Sequence, residues 1–310
     1  MLLHIIILIF GLVLLYAGSE LLVTGSSNTA LMFSVKPVIV GLTIVSFATS
    51  APELLVSLIA AIQGSSDIAV GNILGSNVIN IALVLGISAI IREVNINKQI
   101  IKFELPSMIF ISIVFWILCL DLEIGYFDGV VLIICLFIFL IVSILNAKDK
   151  NSAEKIPDRS LKKFLKNGMF VFFGIIVLAY GASMVVKNAI FIAKAIGLSE
   201  IFIGISIVAL GTSLPELATS AVAAAKGHSD ISVGNVVGSN IFNICLVMGI
   251  VGIFNPSKVN KSLLYFEIPF MVFLSIVFYL LSIKFKKINS TSGIAFIIFF
   301  LIYNIISYNK

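Results

Sequence analysis

Charge is what this chain lacks most. Only 11% of its 310 residues are Asp, Glu, Lys or Arg, against about 25% in a soluble domain, and 60% are hydrophobic, with a mean hydropathy of +1.19. That shortage excludes an ordinary soluble enzyme and leaves a chain that lives in lipid. The three cysteines, Cys119, Cys135 and Cys245, sit singly inside apolar runs without ligand spacing, so neither a disulfide framework nor a zinc site is expected. Histidine is reduced to His4 and His228, neither placed near a buried carboxylate, and no nucleotide-binding or cofactor motif occurs. The opening run, 2–23, has no basic residue before it and is too long for the apolar core of a signal peptide, so it reads as a first span.

What is present is a succession of apolar runs, at 2–23, 38–61, 68–91, 105–120, 126–145, 169–186, 202–225, 231–254, 268–283 and 293–306. Each is long enough for a membrane-spanning helix, and no period-two alternation suggests a barrel. The expected fold class is therefore all-α, a polytopic membrane protein with ten transmembrane helices. A single polar stretch, 146–166, separates a first five-helix half (1–145) from a second (167–310). Shifting the sequence by 163 residues lays Gly41–Ile91 onto Gly204–Phe254 with about half the positions identical, and FELP at 103–106 onto FEIP at 266–269. The chain contains an internal duplication. Five is odd, so two such repeats must have inverted topology. With the N-terminus outside, 15 of the 20 Lys and Arg fall in inner loops, seven of them between Lys148 and Lys166. The positive-inside rule thus places both termini outside and the central loop in the cytoplasm of a cell (inner) membrane. The net charge of +5 is topology and calls for no nucleic-acid partner. Inverted repeats are the architecture of secondary transporters, although duplication alone would also suit a channel.

Glu53 and Glu216 lie deep in apolar segments, where an ionised carboxylate is costly unless paired or liganded. Each follows a proline, in TSAPE at 49–53 and TSLPE at 212–216, and proline disfavours helix at the residue before it. The second and seventh spans should therefore break, releasing carbonyl oxygens near the membrane centre. With the hydroxyls of Thr49, Ser50, Thr212 and Ser213, this is an all-oxygen set suited to Ca²⁺ or Na⁺. The third and eighth spans carry GNILGSNVIN at 71–80 and GNVVGSNIFN at 234–243. Spacing by four keeps Asn72, Ser76 and Asn80 on one helix face, and likewise Asn235, Ser239 and Asn243. Asn77 and Asn240 read equally well as polar packing. Gly71 and Gly75, with Gly234 and Gly238, form small-xxx-small patterns for close helix approach. Glu20, Glu104 and Glu267 read as structural carboxylates at helix ends.

The doubled TSxPE and GNxxGSN motifs resemble the two α-repeats of the sodium/calcium exchanger family, within the cation/calcium antiporters, across essentially the whole chain. The resemblance implies antiport of Na⁺ against Ca²⁺ at four adjacent cation positions around the two glutamates. By motif position, Glu53 and Glu216 with the Thr49 and Thr212 carbonyls would hold Ca²⁺. Ser50, Ser76, Ser213 and Ser239, with carbonyls of Ser46 and Ala209, would serve Na⁺, and Asn80 and Asn243 would flank the centre. Some relatives have Asp at the position of Asn243, and many have Gly at that of Ala48. Neither an organic cofactor nor an obligate protein partner is implied. A Ca²⁺/H⁺ antiporter is the nearest alternative, since buried glutamates can trade a proton for a metal. A cation channel is a more distant one.

Overall fold

In hydrocarbon every backbone N–H and C=O must be paired within its own segment, so long apolar runs become helices. The computed structural model describes residues 1–146, 160–196 and 209–308, and nearly all of these are helical. In chain order the helices are α1 (Leu2–Phe33), α2 (Pro37–Thr49), α3 (Ala51–Ile62), α4 (Ser66–Ile91), α5 (Ile100–Asp121), α6 (Tyr126–Leu145), α7 (Leu161–Ala195), α8 (Ala209–Thr212), α9 (Leu214–Ala225), α10 (Ser229–Phe254), α11 (Leu263–Phe285) and α12 (Ser290–Tyr308). Eight described helices are long and apolar enough to cross a membrane, and α2 with α3, bent by 43° at their break, makes a ninth. The remaining expected span, 202–225, is described from Ala209 onward as α8 and α9. Its residues 202–208 lie outside the described residues, as do Lys148, Lys150, Lys155 and Arg159 of the expected basic loop.

The helices outlast the apolar runs that announced them. α1 has 32 residues and α7 has 35, or about 48 and 52 Å at 1.5 Å per residue, against about 30 Å of hydrocarbon. The two pack antiparallel along a glycine seam in which Gly11 faces Gly181, Gly18 faces Gly174, and Gly25 faces the Asn167 carbonyl. A β-carbon on Gly18 would stand 2.7 Å from the Leu178 nitrogen, and one on Gly174 at 2.7 Å from that of Leu22. Only glycine permits this approach. Since Gly11 and Gly18 correspond to Gly174 and Gly181 in the duplication, the seam joins the first helices of the two halves. Gly234 and Gly238 likewise admit α2 against α10, where an added β-carbon would meet the Val38 carbonyl at 2.7 Å and the Leu42 carbonyl at 2.8 Å.

Among the described residues five wide, π-helical segments interrupt the spans, a feature that the apolar pattern did not disclose. They are Gly41–Val45 in α2, Asn80–Val84 in α4, Ile100–Glu104 in α5, Asn243–Met248 in α10 and Leu263–Glu267 in α11. Those of α5 and α11 precede Pro106 and Pro269, whose missing N–H leaves the preceding turn without its ordinary partner. In α2 the Ser46 hydroxyl donates to the Gly41 carbonyl at 2.7 Å, five residues back.

The halves are also stitched together at their loops. Gly64 and Gly227, at φ +77° and +81°, end α3 and α9 in matching left-handed caps. Arg92, after α4, donates to the Ala225 carbonyl of α9 at 3.3 Å, while Asn255, at the repeat-related place after α10, donates to the Ala61 carbonyl of α3. Four two-residue strands, β1 (Val94–Asn95), β2 (Glu123–Ile124), β3 (Ser257–Lys258) and β4 (Lys287–Ile288), pair antiparallel as β1 with β4 and β2 with β3. They are loop bridges on an otherwise helical scaffold. The main apolar core lies between α4, α5, α10 and α11 and includes the fully buried Phe115 and Phe278. A smaller cluster of Leu15, Leu22, Leu178 and Val222 joins α1, α7 and α9.

The glycine seam makes a quantitative demand. Gly174→Ala is expected to cost about 1–3 kcal/mol by overpacking, read as an earlier thermal unfolding transition of the detergent-purified protein. Gly168→Ala, whose added methyl meets no described atom within 4 Å, should be neutral or slightly stabilising.

Candidate functional site

Proline builds the site by what it withholds. Pro52 and Pro215 have no N–H to continue the helix before them, and the chain breaks at Ser50 (φ −82°, ψ 4°) and Ser213 (φ −88°, ψ 6°). Each proline then opens a new helix, which leaves Glu53 and Glu216 in the first turns of α3 and α9, where the positive helix end favours a carboxylate. Both expected breaks are therefore present.

Both carboxylates are completely buried. Glu53 Oε1 accepts from Ser76 Oγ at 3.3 Å and from Ser213 Oγ at 3.2 Å. Glu216 Oε1 accepts from Ser50 Oγ at 3.3 Å, with the Thr49 and Ser239 hydroxyls beside the same carboxylate. Each glutamate is thus held by the hydroxyl of the other half's break. Ser213 reaches Glu53 and Ser50 reaches Glu216, so neither half can assemble its carboxylate site alone.

The asparagines extend this crossing. Asn80 and Asn243 lie one turn beyond Ser76 and Ser239, fully buried, at the first residues of the wide segments of α4 and α10. Asn80 Nδ2 donates to Asn240 Oδ1 at 3.2 Å, and Asn243 Nδ2 donates to Asn77 Oδ1 at 3.1 Å. Four buried oxygens in two repeat-related pairs, Glu53 and Glu216 Oε2 with Asn80 and Asn243 Oδ1, have no hydrogen-bond partner among the described residues. A buried acceptor without a donor is costly, and a hard cation is a partner that satisfies several at once.

The other expected residues fall as follows. Thr49 Oγ1 pairs with Asn235 Oδ1 at 3.1 Å and with Ser239 Oγ at 3.3 Å, and Thr212 Oγ1 donates to Asn72 Oδ1 at 3.4 Å. The Ser46 hydroxyl turns to the backbone of α10, contacting the carbonyls of Gly234 and Asn235 at 3.3 and 3.2 Å. Its own carbonyl already accepts from Ser50 N at 2.9 Å and Thr49 Oγ1 at 3.3 Å. Ala209 opens α8, and its side chain lies outside the described residues.

Four further participants, Ser57, Ser220, Met108 and Met271, were not singled out by the sequence. Asn72 and Asn235, on the expected polar faces, donate to Ser57 Oγ and Ser220 Oγ at 3.0 and 2.9 Å and reach the Glu53 and Glu216 carbonyls at 3.5 and 3.4 Å. Ser57 and Ser220 stand four residues beyond the glutamates, so helical spacing offered a hint. Met108 and Met271, which accept from Asn240 and Asn77 at 3.6 and 3.4 Å, offered none. Glu20, Glu104 and Glu267 stand apart from the site. Glu20 pairs with Lys226 at 2.9 Å, Glu104 accepts from Gln99 at 2.7 Å, and Glu267 accepts from Ser307 at 2.8 Å.

A cavity of about 250 Å³ reaches the break, lined by Ala48, Thr49, Pro52, Leu178, Ala179 and Pro215. It opens between α7 and the α2–α3 corner. At the repeat-related interface α1 packs on α9, with Leu22 and Val222 in one apolar cluster and Glu20 paired with Lys226. Among the described residues no group of three or more His, Cys, Asp or Glu side chains is arranged to hold a metal ion. Two carboxylates with hydroxyl and amide oxygens form a set for a hard cation that is bound and released.

The pattern of the family described as sodium/calcium exchanger protein matches residues 3–145 and 167–309. Among curated relatives, the inner membrane protein YrbG of Escherichia coli is 35% identical over 91% of this chain and 89% of its own length. The sodium/calcium exchanger MaX1 of Methanosarcina acetivorans is 29% identical over 97% of both chains. The solved structure of the sodium-calcium exchanger NCX_Mj soaked with 10 mM Na⁺ and zero Ca²⁺ superposes with a TM-score of 0.87 at 32% identity, covering 97% of each chain. A match over both halves, together with a shared fold, leaves one assignment: the chain belongs to the sodium/calcium exchanger family, as a membrane antiporter of cations and not an enzyme.

Proposed function

We propose that this protein exchanges Na⁺ for Ca²⁺ across the membrane by alternating access and exports Ca²⁺. The observation that carries this reading is the set of four fully buried oxygens on Glu53, Glu216, Asn80 and Asn243 that have no hydrogen-bond partner among the described residues. Glu53 and Glu216, with the Thr49 and Thr212 carbonyls, bind Ca²⁺. Ser50, Ser76, Ser213 and Ser239, with carbonyls of Ser46 and Ala209, complete the Na⁺ positions. The scaffold in this reading is ten spans in two inverted five-helix repeats, 1–145 and 167–310, joined by a cytoplasmic linker at 146–166, with both termini outside. The antiparallel run of the repeat-related helices α1 and α7 supports the inversion. So do the loop bridges, which pair only loops that such a topology puts on one side of the membrane.

Alternating access needs two arrangements of one site, and the halves differ in a way that supports it. The α1–α9 interface carries the Glu20–Lys226 pair, whereas the positions related to these residues are Ser183 and Gln63, which cannot form an ion pair. The cavity lies at the other interface, beside α3 and α7. A continuous channel would need no such inequality. Na⁺ is favoured over H⁺ as the counter-ion because serine and threonine hydroxyls surround both carboxylates, giving a small cation neutral ligands as well as charge. The deciding experiment is ⁴⁵Ca²⁺ uptake into proteoliposomes under an outward Na⁺ gradient and, separately, an outward H⁺ gradient of equal size. Uptake is expected with Na⁺ alone, and uptake driven only by H⁺ would replace this reading with Ca²⁺/H⁺ exchange.

Glu53→Gln and Glu216→Gln are each expected to lower Ca²⁺ transport at least about 100-fold while leaving a monodisperse protein. The amide preserves volume and removes half of the −2 charge that offsets a buried Ca²⁺. Full exchange in either variant would take that residue out of the site.

Charge movement gives a further test. With Asn at both 80 and 243, a site holding one Ca²⁺ against two carboxylates is formally neutral, while one holding three Na⁺ carries +1. An inside-negative potential would then assist Ca²⁺ export by about 2.3 kcal/mol per charge per 100 mV. In vesicles clamped with K⁺ and valinomycin, Na⁺-driven Ca²⁺ uptake is expected to change with the sign of the potential. Equal flux at both polarities would mean two Na⁺ per Ca²⁺.

A further inference from the structure

Between the two ligand asparagines lies a second amide pair that the exchange reading leaves without a role. Asn77 and Asn240 are buried to 0% and 2% exposure at repeat-related positions of α4 and α10. Each accepts from the ligand asparagine of the opposite half, Asn77 Oδ1 from Asn243 Nδ2 at 3.1 Å and Asn240 Oδ1 from Asn80 Nδ2 at 3.2 Å. Their own amides are fixed in turn. Asn77 Nδ2 donates to the Asn240 carbonyl at 3.3 Å and to Met271 Sδ at 3.4 Å, and Asn240 Nδ2 donates to Met108 Sδ at 3.6 Å.

An asparagine amide has two faces of opposite polarity. Rotated by half a turn about its last torsion, it occupies the same volume but presents N–H hydrogens where its oxygen had been. Beside a dehydrated cation the oxygen attracts and the N–H₂ group repels, so the orientation decides whether the residue is a ligand or a barrier. In this structure the N–H₂ groups of Asn80 and Asn243 are taken up by Asn240 and Asn77, and the oxygens are the atoms left unpartnered. Methionine sulfur is a weak acceptor and not a donor, so Met108 and Met271 hold the N–H₂ ends of Asn240 and Asn77 and leave their oxygens to accept. Two alternative orientations are thereby reduced to one.

We propose that Asn77 and Asn240 are positioning residues that turn the amide oxygens of Asn243 and Asn80 toward the transported cation, each acting on the opposite half of the molecule. The proposal rests on the exchange reading above and deepens it. Because each link runs between the halves, the same bonds make the central ligands sensitive to how the two repeats sit against each other.

The test is ⁴⁵Ca²⁺ equilibrium binding to the full-length purified protein, with Na⁺-driven uptake measured alongside. Asn77→Leu keeps the bulk and removes the acceptor, and Asn77→Ser keeps a polar group but withdraws it from reach. Both are expected to weaken Ca²⁺ binding at least tenfold and raise the apparent KM, with the maximal exchange rate within about twofold of wild type. Asn77→Asp, which retains an acceptor oxygen, should recover most of the affinity. In double-mutant cycles Asn77→Leu should couple to Asn243→Ala and not to Asn80→Ala, and Asn240→Leu should show the reverse. If Asn77→Leu and Asn77→Ser are folded and bind normally, if Asp and Leu impair equally, if Asn243→Ala leaves binding intact, or if the coupling is not crosswise, the proposal is overturned. A wild-type protein that neither binds Ca²⁺ nor exchanges it for Na⁺ would overturn the exchange reading itself, a distinct result.

Discussion

Two carboxylates in the middle of a membrane protein are the constraint on which the rest of this structure depends. An ionised group there has to be surrounded by polarity that the lipid cannot supply. The chain gathers it from three sources: hydroxyls on the opposite break, the first turns of α3 and α9, and asparagines along α4 and α10. Each source requires some departure from a simple apolar helix. The prolines break α2 from α3 and α8 from α9, the wide segments begin at Asn80 and Asn243, and the asparagines occupy helix faces that would otherwise be Leu or Ile. The polar interior is therefore the organising feature, and the apolar exterior is the ordinary solution to living in lipid.

Assembling this polarity from two copies of one sequence has a physical consequence. Ser76 holds Glu53 from within its own half, but other bonds to the site cross between the halves: Ser213 to Glu53, Ser50 to Glu216, Asn240 with Asn80, Asn77 with Asn243. A site built at the interface of two similar bodies changes whenever they shift, and such a shift can expose it first to one side and then to the other. The glycine seam between α1 and α7 lets backbones touch without interlocking side chains, which keeps those long helices together as one unit.

The similarity of the halves is not complete. Glu20 and Lys226 have become an ion pair where their counterparts are Ser183 and Gln63, and the Arg92 cap of α9 corresponds to Asn255 at α3. Charge has accumulated at the α9 end and not at the α3 end. A cavity lies beside α3, at the interface that lacks the ion pair. A perfectly symmetric pair of repeats would carry the same contacts at both places.

The sequence by itself determined a great deal of this protein. Scarce charge and long apolar runs demand membrane helices, since no other local structure satisfies the backbone in lipid, and the offset of 163 exposes the duplication. TSAPE and TSLPE announce both breaks because proline's missing N–H acts locally, and spacing by four puts Asn72, Ser76 and Asn80 on one face wherever the helix is placed. Residues decided only by tertiary contact were less legible. Asn77 and Asn240 could equally have been packing, because an amide's role depends on which partner meets it, and that partner lies about 160 residues away. Ser46 shows the same limit: motif position points to its carbonyl, and only the folded chain shows that its hydroxyl faces the α10 backbone while that carbonyl also accepts from Ser50. The pairing of Glu20 with Lys226 and the thioethers of Met108 and Met271 were hidden for one reason. Periodicity reports the face a residue occupies on its own helix, and only the packing of helices determines what that face will meet.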